Sequence, residues 1–592
     1  MFYNSASLAY INISNFKTDN SNMNYMFYNS PSLTSIDISN FTIRDTTMDY
    51  MFYNSTSLPS VDIRNFSIDN STMTYMFYKS SSLALVNISN FNAHNLTKMK
   101  YMFRDCKSLL DFNFYNFTSK NRADLSFMLS ELSSLKTVKF YNFSTNYLTN
   151  MNNMFYKSKE LRSVIFINFY PGINSDMSYM FKECHSLISV NFKNFTCPEK
   201  MNYMFNYCKN LESIDLSNLI IPKRTTMKGF FEECNSLKSI NLNNINLENV
   251  IDMSYMFTRC TSLSYFDISD LNISNLQYMN NMFQSCSSLK KVDMNNINAP
   301  KLQNMNYMFQ LCSSLEEIHM DNINVPNLQS TRDMFYFDKI LKSIYFSNFK
   351  SINLKDMANM FKGCSGLDII YITNFYTENL IDMNQLFYGC QSLKRIDLSS
   401  FNTKNVIDMS YTFYNCKSLT SLNISHFIIE NVKYMNHTFY GCSSLKYINM
   451  PNLNAKNLET MYNIFFNCST LKKIDLSNFI SPNLKNLKNM FYDCNSLISI
   501  NFKNFIFRNI TQTSYMFYNC YSLSSIDLSN LNFVNSINMD YMFYDCKSLK
   551  SINLSNLNAS NAVYMNYMFY NCNSLSLIDF SNLNIKYVVN MN

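Results

Sequence analysis

The dipeptide Met-Phe returns along this chain at a nearly constant interval, and that interval restricts the fold more than any local motif does. Marked by the methionine, repeats begin at positions 1, 26, 51, 76, 102, 128, 154, 180 and 204. Phe230 stands in at the next turn, and the series then runs every 26 residues from Met256 to Met568, with Leu386, Thr412, Thr438 and Ile464 replacing the methionine in their repeats. This makes 23 units in 592 residues. A fixed period of this size is the signature of a solenoid, in which no unit can bury its apolar side alone and each stacks on its neighbours. The expectation is a single repeat domain, residues 1–592, with 25-residue units at the start and mostly 26-residue units afterwards. Neither end carries a polar capping segment: Met1 already lies inside a unit, and Asn592 stops just short of the next marker.

Within a unit, exemplified by "DMSYMFTRCTSLSYFDISDLNISNL", Met253, Met256, Phe257 and Cys260 fall at i, i+3, i+4 and i+7. That spacing predicts one face of a short helix. Asp252 precedes it, as Asp176, Asp356, Asp382 and Asp408 do elsewhere, where a carboxylate can cap free N–H groups. After Leu263 the period falls to two, so Phe266 and Ile268 point one way and Asp267 and Ser269 the other, as on a short strand with one wet face. Only 6 Gly and 9 Pro are present, which leaves the turns to Asn, Asp and Ser. The predicted fold is an α/β solenoid, with a long parallel sheet on one face and short helices on the other.

The segments "CTSLSYFDISDL" and "CKSLKSINLSNL" resemble the leucine-rich repeat skeleton. The unit "MFxxCxSLxxIxLSNF" is similar to the repeat of BspA-type leucine-rich repeat proteins, and more so to its Met-Phe variant in surface proteins of mycoplasmas and some microbial eukaryotes. The resemblance covers essentially the whole chain. It implies a right-handed superhelix, placed on a cell surface or secreted, that serves adhesion or host contact through protein or glycan ligands on other cells or matrix. The alternative is a cytoplasmic leucine-rich repeat scaffold for protein–protein interaction, consistent with an N-terminus, "MFYNSASL", that is repeat sequence and shows no signal-peptide pattern.

Composition narrows the function classes. With 47% apolar and 16% aromatic residues, the chain has material for a packed core. The net charge of +7 comes from basic and acidic residues mixed through the sequence, without the Lys/Arg stripe that tracks phosphates, so nucleic acid is not an expected partner. No run approaches the roughly 18 apolar residues of a membrane-spanning helix.

Sixteen of the 17 cysteines stand four residues after the marker. They lack the paired CxxC spacing of a zinc site. Parallel side chains one strand apart keep Cβ atoms near 5 Å, beyond the roughly 3.5–4.5 Å of a disulfide, so the column is expected to hold buried, inert thiols. Cys197, outside the column, is the candidate for an exposed or reactive one. An asparagine column stands 14 residues after the marker, broken only by Asp270, Ser400 and His426. It suggests side-chain amides that satisfy loop backbone. Tyr255, Tyr307, Tyr515, Tyr541 and Tyr567 form a stripe expected to pack half-buried between neighbouring coils.

Catalysis finds no support. The five histidines occupy five different offsets. His319, with Asp293 and Asp321 expected beside it, has no nucleophile at a defined place. The reading is a non-enzymatic binding protein with no cofactor and no metal. Its candidate binding residues are outward strand positions that depart from the usual Ser, Asp and Asn: Tyr115, Lys139, Tyr141, Ile165 and Ile167 in three consecutive units, and His319, Tyr345 and Tyr371 in another three. Exposed aromatic and apolar side chains on a rigid sheet are what interfaces use as anchors. Sequons such as those at Asn54, Asn95, Asn272 and Asn436 follow from a composition rich in Asn and Ser.

Overall fold

The computed structural model describes residues 2–592 apart from Leu96, Asn121, Asn146, Leu148, Asp270, 451–453 and Asn530. The chain divides into two compact units, one of Met1–Phe266 with Leu271–Leu289 and one of Asp267–Asp270 with Lys290–Asn592. Each is a parallel β-solenoid. Successive coils pair strand on strand in register, as Tyr10 does with Ser35 in the first unit and Ser551 with Leu577 in the second. The strands alternate as the period-two pattern requires: Phe266 and Ile268 are buried, and Asp267 is exposed.

The core consists of columns, because equivalent residues of stacked coils lie one above another. Phe27, Phe52, Phe77 and Phe103 form a stack with ring centroids 5.3–5.4 Å apart, and Phe361, Phe387, Phe413 and Phe439 do the same at 5.3–5.6 Å. All of these side chains are buried. Burying one such ring or leucine contributes about 1.5–3 kcal/mol, and every coil repeats the gain.

The expected helices are absent: among the described residues the marker segment is a succession of turns. Tyr255 and Arg259 hold left-handed backbone at φ 61° and 59°, a conformation through which a right-handed helix cannot propagate. The amides instead alternate between two kinds of acceptor. Met256, Thr258 and Cys260 donate to carbonyls three residues back, whereas Met253, Tyr255, Phe257 and Arg259 donate to Tyr278, Asn280, Met282 and Gln284 of the next coil. Successive turns of this kind send i, i+3, i+4 and i+7 inward just as a helix would, so the spacing was right about the buried face and wrong about the backbone. The carboxylate before the marker serves a turn: Asp252 Oδ1 accepts the Ser254 N–H at 2.8 Å, and Asp176, Asp356, Asp382 and Asp408 do likewise two residues on. No helix is long and apolar enough to cross a membrane among the described residues.

Candidate binding surface

What the outward sheet face presents is decided by one position, eleven residues after the marker. Where it is Asp or Asn, its side chain usually accepts the N–H two residues later. Asp215 does so for Ser217, Asp397 for Ser399, Asp475 for Ser477 and Asp527 for Ser529, each at 2.9 Å. That Asx turn takes the amide that would continue the sheet, and the strand ends after three residues, as in Ser213–Asp215 and Lys473–Asp475. At Lys139, Ile165, Tyr345 and Tyr371 no such Asx turn forms, and their strands run on: nine residues in Thr137–Thr145, eight in Ser163–Tyr170, and five in Ser343–Ser347 and Ile369–Thr373. His319 is the exception: its strand, Glu317–His319, ends after three residues, where Asn295 Oδ1 of the preceding coil accepts the Asp321 N–H. Asn191 and Asn113 lie beside such strands and follow them, in Ser189–Thr196 and Asp111–Tyr115.

The departures singled out in the sequence therefore change the backbone as well as the surface. In the first unit Tyr115, Tyr141 and Ile167 are register partners, as are Lys139 and Ile165. The Tyr115 and Tyr141 rings stack at 5.1 Å with 4° between their planes. In the second unit His319, Tyr345 and Tyr371 line up across three strands. Their rings stack at 4.6 and 4.8 Å, and Tyr371 at the end of the stack is 50% exposed. His319 Nε2 lies 2.5 Å from Glu317 Oε1, and its Nδ1 lies 4.0 Å from Asp321 Oδ2. Asp293 is its register partner on the neighbouring strand. The two groups belong to different units of the chain.

The other columns are architectural. All seventeen cysteines are free, and all but the half-buried Cys572 are buried. Column thiols such as Cys260, Cys390 and Cys494 donate to the carbonyl of the preceding coil's phenylalanine at 3.1–3.3 Å. Burial pushes them up, Cys286 and Cys442 to about 12, so the thiolate is disfavoured. Cys197 is no exception: it is 2% exposed and burial raises it as well, because its amide pairs with the Ile220 carbonyl of the next coil and draws the segment inward. The asparagines form an amide ladder, with Asn348 Nδ2 donating to Asn322 Oδ1 at 3.0 Å and Asn374 Nδ2 to Asn348 Oδ1 at 2.8 Å. These three hold left-handed backbone, φ 53–57°, where Asn costs less than other side chains. Met1 and Asp270 lie outside the described residues. In the tyrosine stripe, Tyr515, Tyr541 and Tyr567 stack at 4.8 and 5.1 Å.

A concavity of about 870 Å3 opens on the sheet side beside Tyr371, with Arg395, Ile396, Asp397 and His426 in its wall. These residues were not singled out as binding residues in the sequence. The signal that marks them is the break in the asparagine column at Ser400 and His426.

Comparison with known proteins identifies the family of the chain. A family model described as "Mycoplasma protein of unknown function, DUF285" matches residues 1–85, 46–169, 225–349, 337–446, 419–526 and 485–592. The chain belongs to the DUF285 family. A BspA type leucine rich repeat region, in six copies, matches residues 130–250, so this DUF285 chain is a BspA-like leucine-rich repeat protein. No match was found among curated proteins. Among solved structures, a leucine-rich repeat protein from Bacteroides ovatus ATCC 8483 is 17% identical, covering 75% of this chain and 79% of that one, with TM-score 0.28. The TLR13–ssRNA13 complex is 16% identical over 94% of this chain and 82% of that one, with TM-score 0.25. A leucine rich cell surface protein from Faecalibacterium prausnitzii A2-165 is 14% identical over 80% and 89%, with TM-score 0.21.

Proposed function

We propose that this DUF285 chain is a non-enzymatic binding protein, displayed on a cell surface or secreted, that holds protein or glycan ligands of other cells or matrix against its sheet face. The observation that carries the reading is the pair of aromatic stacks, Tyr115–Tyr141 at an outward position where most coils carry Ser, and His319–Tyr345–Tyr371 at one where most carry Asp or Asn. Strand pairing holds the backbone of these rings, on both sides for Tyr141 and Tyr345, so little ordering entropy is lost when a partner covers them. Repetition lets weak contacts sum through avidity. Membership of the BspA-like family supports the surface placement.

The test is a binding screen of the purified chain against matrix proteins, glycans and host-cell surfaces, run beside Tyr345→Ala/Tyr371→Ala and Tyr115→Ala/Ile165→Ser variants. Affinity for the ligands found should fall at least about tenfold in one of the two variants, as expected for aromatic anchors worth about 1.4 kcal/mol or more. Unchanged affinity in both removes the sheet face as the site.

The free thiols favour a second reading, an intracellular scaffold that binds proteins through the same face. Proteolysis of intact cells separates the two, since a surface protein is cut and a scaffold is spared.

A further inference from the structure

The two aromatic groups sit in opposite electrostatic settings. In the coils of Tyr115 and Tyr141 and the two that follow, residues 110–115, 136–141, 162–167 and 188–193 carry four cations, Lys136, Lys139, Arg162 and Lys193, against one carboxylate, Asp111. In the coils of His319, Tyr345 and Tyr371, the matching residues 316–321, 342–347 and 368–373 carry four carboxylates, Glu316, Glu317, Asp321 and Asp368, against Lys342 and His319. There the charges neutralise one another: Lys342 Nζ lies 3.1 Å from Glu316 Oε2, Lys394 Nζ of the next coil lies 2.9 Å from Asp368 Oδ2, and His319 Nε2 is beside Glu317. None of the four cations of the first group is in an ion pair among the described residues. Asp111 accepts the Thr137 hydroxyl.

The position eleven residues after the marker accounts for much of the difference. Asp37, Asp62, Asp215 and Asp293 place carboxylates there in other coils, whereas the five consecutive coils of Asn87, Asn113, Lys139, Ile165 and Asn191 have none. The four cations are far apart in the sequence, and strand pairing gathers them. Asn113, Lys139, Ile165 and Asn191 are register partners, as are Tyr115, Tyr141, Ile167 and Lys193. Arg162 follows Lys136 at the same offset of the next coil, its N–H bonded to the Lys136 carbonyl at 2.9 Å. With strands about 4.8 Å apart, the four coils make a patch about 14 Å across. Lys136, Arg162 and Lys193 are exposed and Lys139 is half-buried. Neighbouring cations of the patch lie within about the 8 Å over which salt screens charge at physiological ionic strength, so their potentials add.

This arrangement selects among ligands. Unpaired surface cations attract sulfate or carboxylate groups. The sheet beneath them is closed: Tyr141 and Ile167 lie in strands paired on both sides, so the patch has no free sheet edge on which a peptide could add as a strand. Side chains alone are on offer, the cations and the ring of Tyr115. That ring is 41% exposed and ends its stack, because the preceding coil carries the small Ser89 at the same offset. A sugar ring can turn a flat C–H face to an aromatic ring while its charged substituents stand at its rim, and so engages both.

We propose that the patch of Lys136, Lys139, Arg162 and Lys193 binds a linear glycan that carries sulfate or carboxylate groups. One sugar packs on the Tyr115 ring, and the anionic groups along the chain pair with the four cations across successive coils. The His319–Tyr345–Tyr371 group, set among carboxylates, repels the same ligand. This rests on the reading of the sheet face as a binding surface and names the ligand class of one of its two aromatic groups.

The probe is a fluorescein-labelled heparin octasaccharide, titrated into the full chain and read by fluorescence anisotropy. Labelled maltooctaose, a polyglutamate peptide and a single-stranded RNA, the last two matched to the probe in charge, serve as comparisons. The wild-type chain should prefer the heparin fragment over each by at least about tenfold, and the affinity should fall as salt is raised. Lys136→Glu/Arg162→Glu should lower it at least about tenfold with the thermal transition unchanged. Tyr115→Ala should lower it severalfold while leaving any residual polyglutamate binding as it was, and Tyr345→Ala/Tyr371→Ala should leave it unchanged. No saturable binding of the heparin fragment, equal binding of polyglutamate or RNA, or full affinity in Lys136→Glu/Arg162→Glu overturns the proposal. Heparin binding by a chain that intact-cell proteolysis spares defeats the surface reading and upholds this site. Loss of screened ligands in Tyr115→Ala/Ile165→Ser, with no heparin binding by the wild-type chain, defeats this site alone.

Discussion

The coils of Asp111–Thr196 in the first unit and those of Lys473–Asp579 in the second share a period and a core, but their sheets are held by different means. In the first stretch, strands of eight and nine residues pair along their length, and Phe114, Phe140, Phe166 and Phe192 stack behind them at 4.7–5.5 Å. In the second, every strand is three residues long and is ended by an Asp or Asn that takes the next free amide. Coil-to-coil attachment there rests more on side-chain columns: phenylalanine, cysteine and the tyrosine ladder of Tyr492, Tyr518, Tyr544 and Tyr570, stacked at 4.5–4.8 Å. An Asx turn at the outward position thus shifts the cement from backbone toward side chains in the coils where it forms.

The largest effect should come from breaking the long-strand stretch at its centre. Phe140 is fully buried between Phe114 and Phe166, and Phe140→Ala should cost about 3–5 kcal/mol by chemical denaturation. A loss under about 1 kcal/mol would mean the phenylalanine stack is not what holds these strands.

A repaired fault in the second unit should come next. Asp338 occupies the cysteine position of its coil, fully buried, with Oδ1 accepting the Cys312 N–H at 2.7 Å and Oδ2 unpartnered. Asp338→Cys should stabilise the chain by about 1–3 kcal/mol, the usual penalty of an unsatisfied buried acceptor. Burial raises this carboxyl well above its ordinary value. The folded chain therefore keeps a proton that the unfolded chain releases near pH 4, and stability falls as pH rises from there toward the folded value. The gain from Asp338→Cys should accordingly be larger at pH 7 than at pH 4. Equal gains at both would show that the carboxyl is not buried.

Removing a single turn acceptor is milder. Asp475→Ala frees the Ser477 amide and should cost about 1 kcal/mol. The smallest expected change is in the aromatic patch: Tyr371→Ala, half-exposed at the end of its stack, should alter stability by about 0.5–1 kcal/mol while lowering ligand binding. If its stability cost matched that of Phe140→Ala, the stack would be core and not surface.

The period, the inward columns and the alternation of the strands were legible because each is a repeated demand for burial, and burial is what hydrophobic pattern reports. The turn backbone was not. Met253, Met256, Phe257 and Cys260 obey helical spacing, and only the left-handed Tyr255 and Arg259 between them decide otherwise; neither residue type advertises that conformation. The outward departures at Lys139, Ile165, Tyr345 and Tyr371 were visible as surface chemistry, but their effect on strand length depends on a missing acceptor, which a pattern of residue types does not show directly. The missing strand at Arg395–Asp397 was not legible, because its own residues look like those of the other coils.

The central claim, that a strand ends where the side chain eleven residues after the marker accepts the amide two residues on, is tested most directly by hydrogen–deuterium exchange at single-amide resolution in Lys139→Asp/Tyr141→Ser. In the wild-type chain the amide of Tyr141 lies inside a nine-residue strand, whereas that of Ser477 bonds only to Asp475 in an Asx turn. The double substitution should bring protection at position 141 down by at least about tenfold, or about 1.4 kcal/mol, toward that of Ser477. Protection at 141 that stays at the wild-type level would contradict the claim.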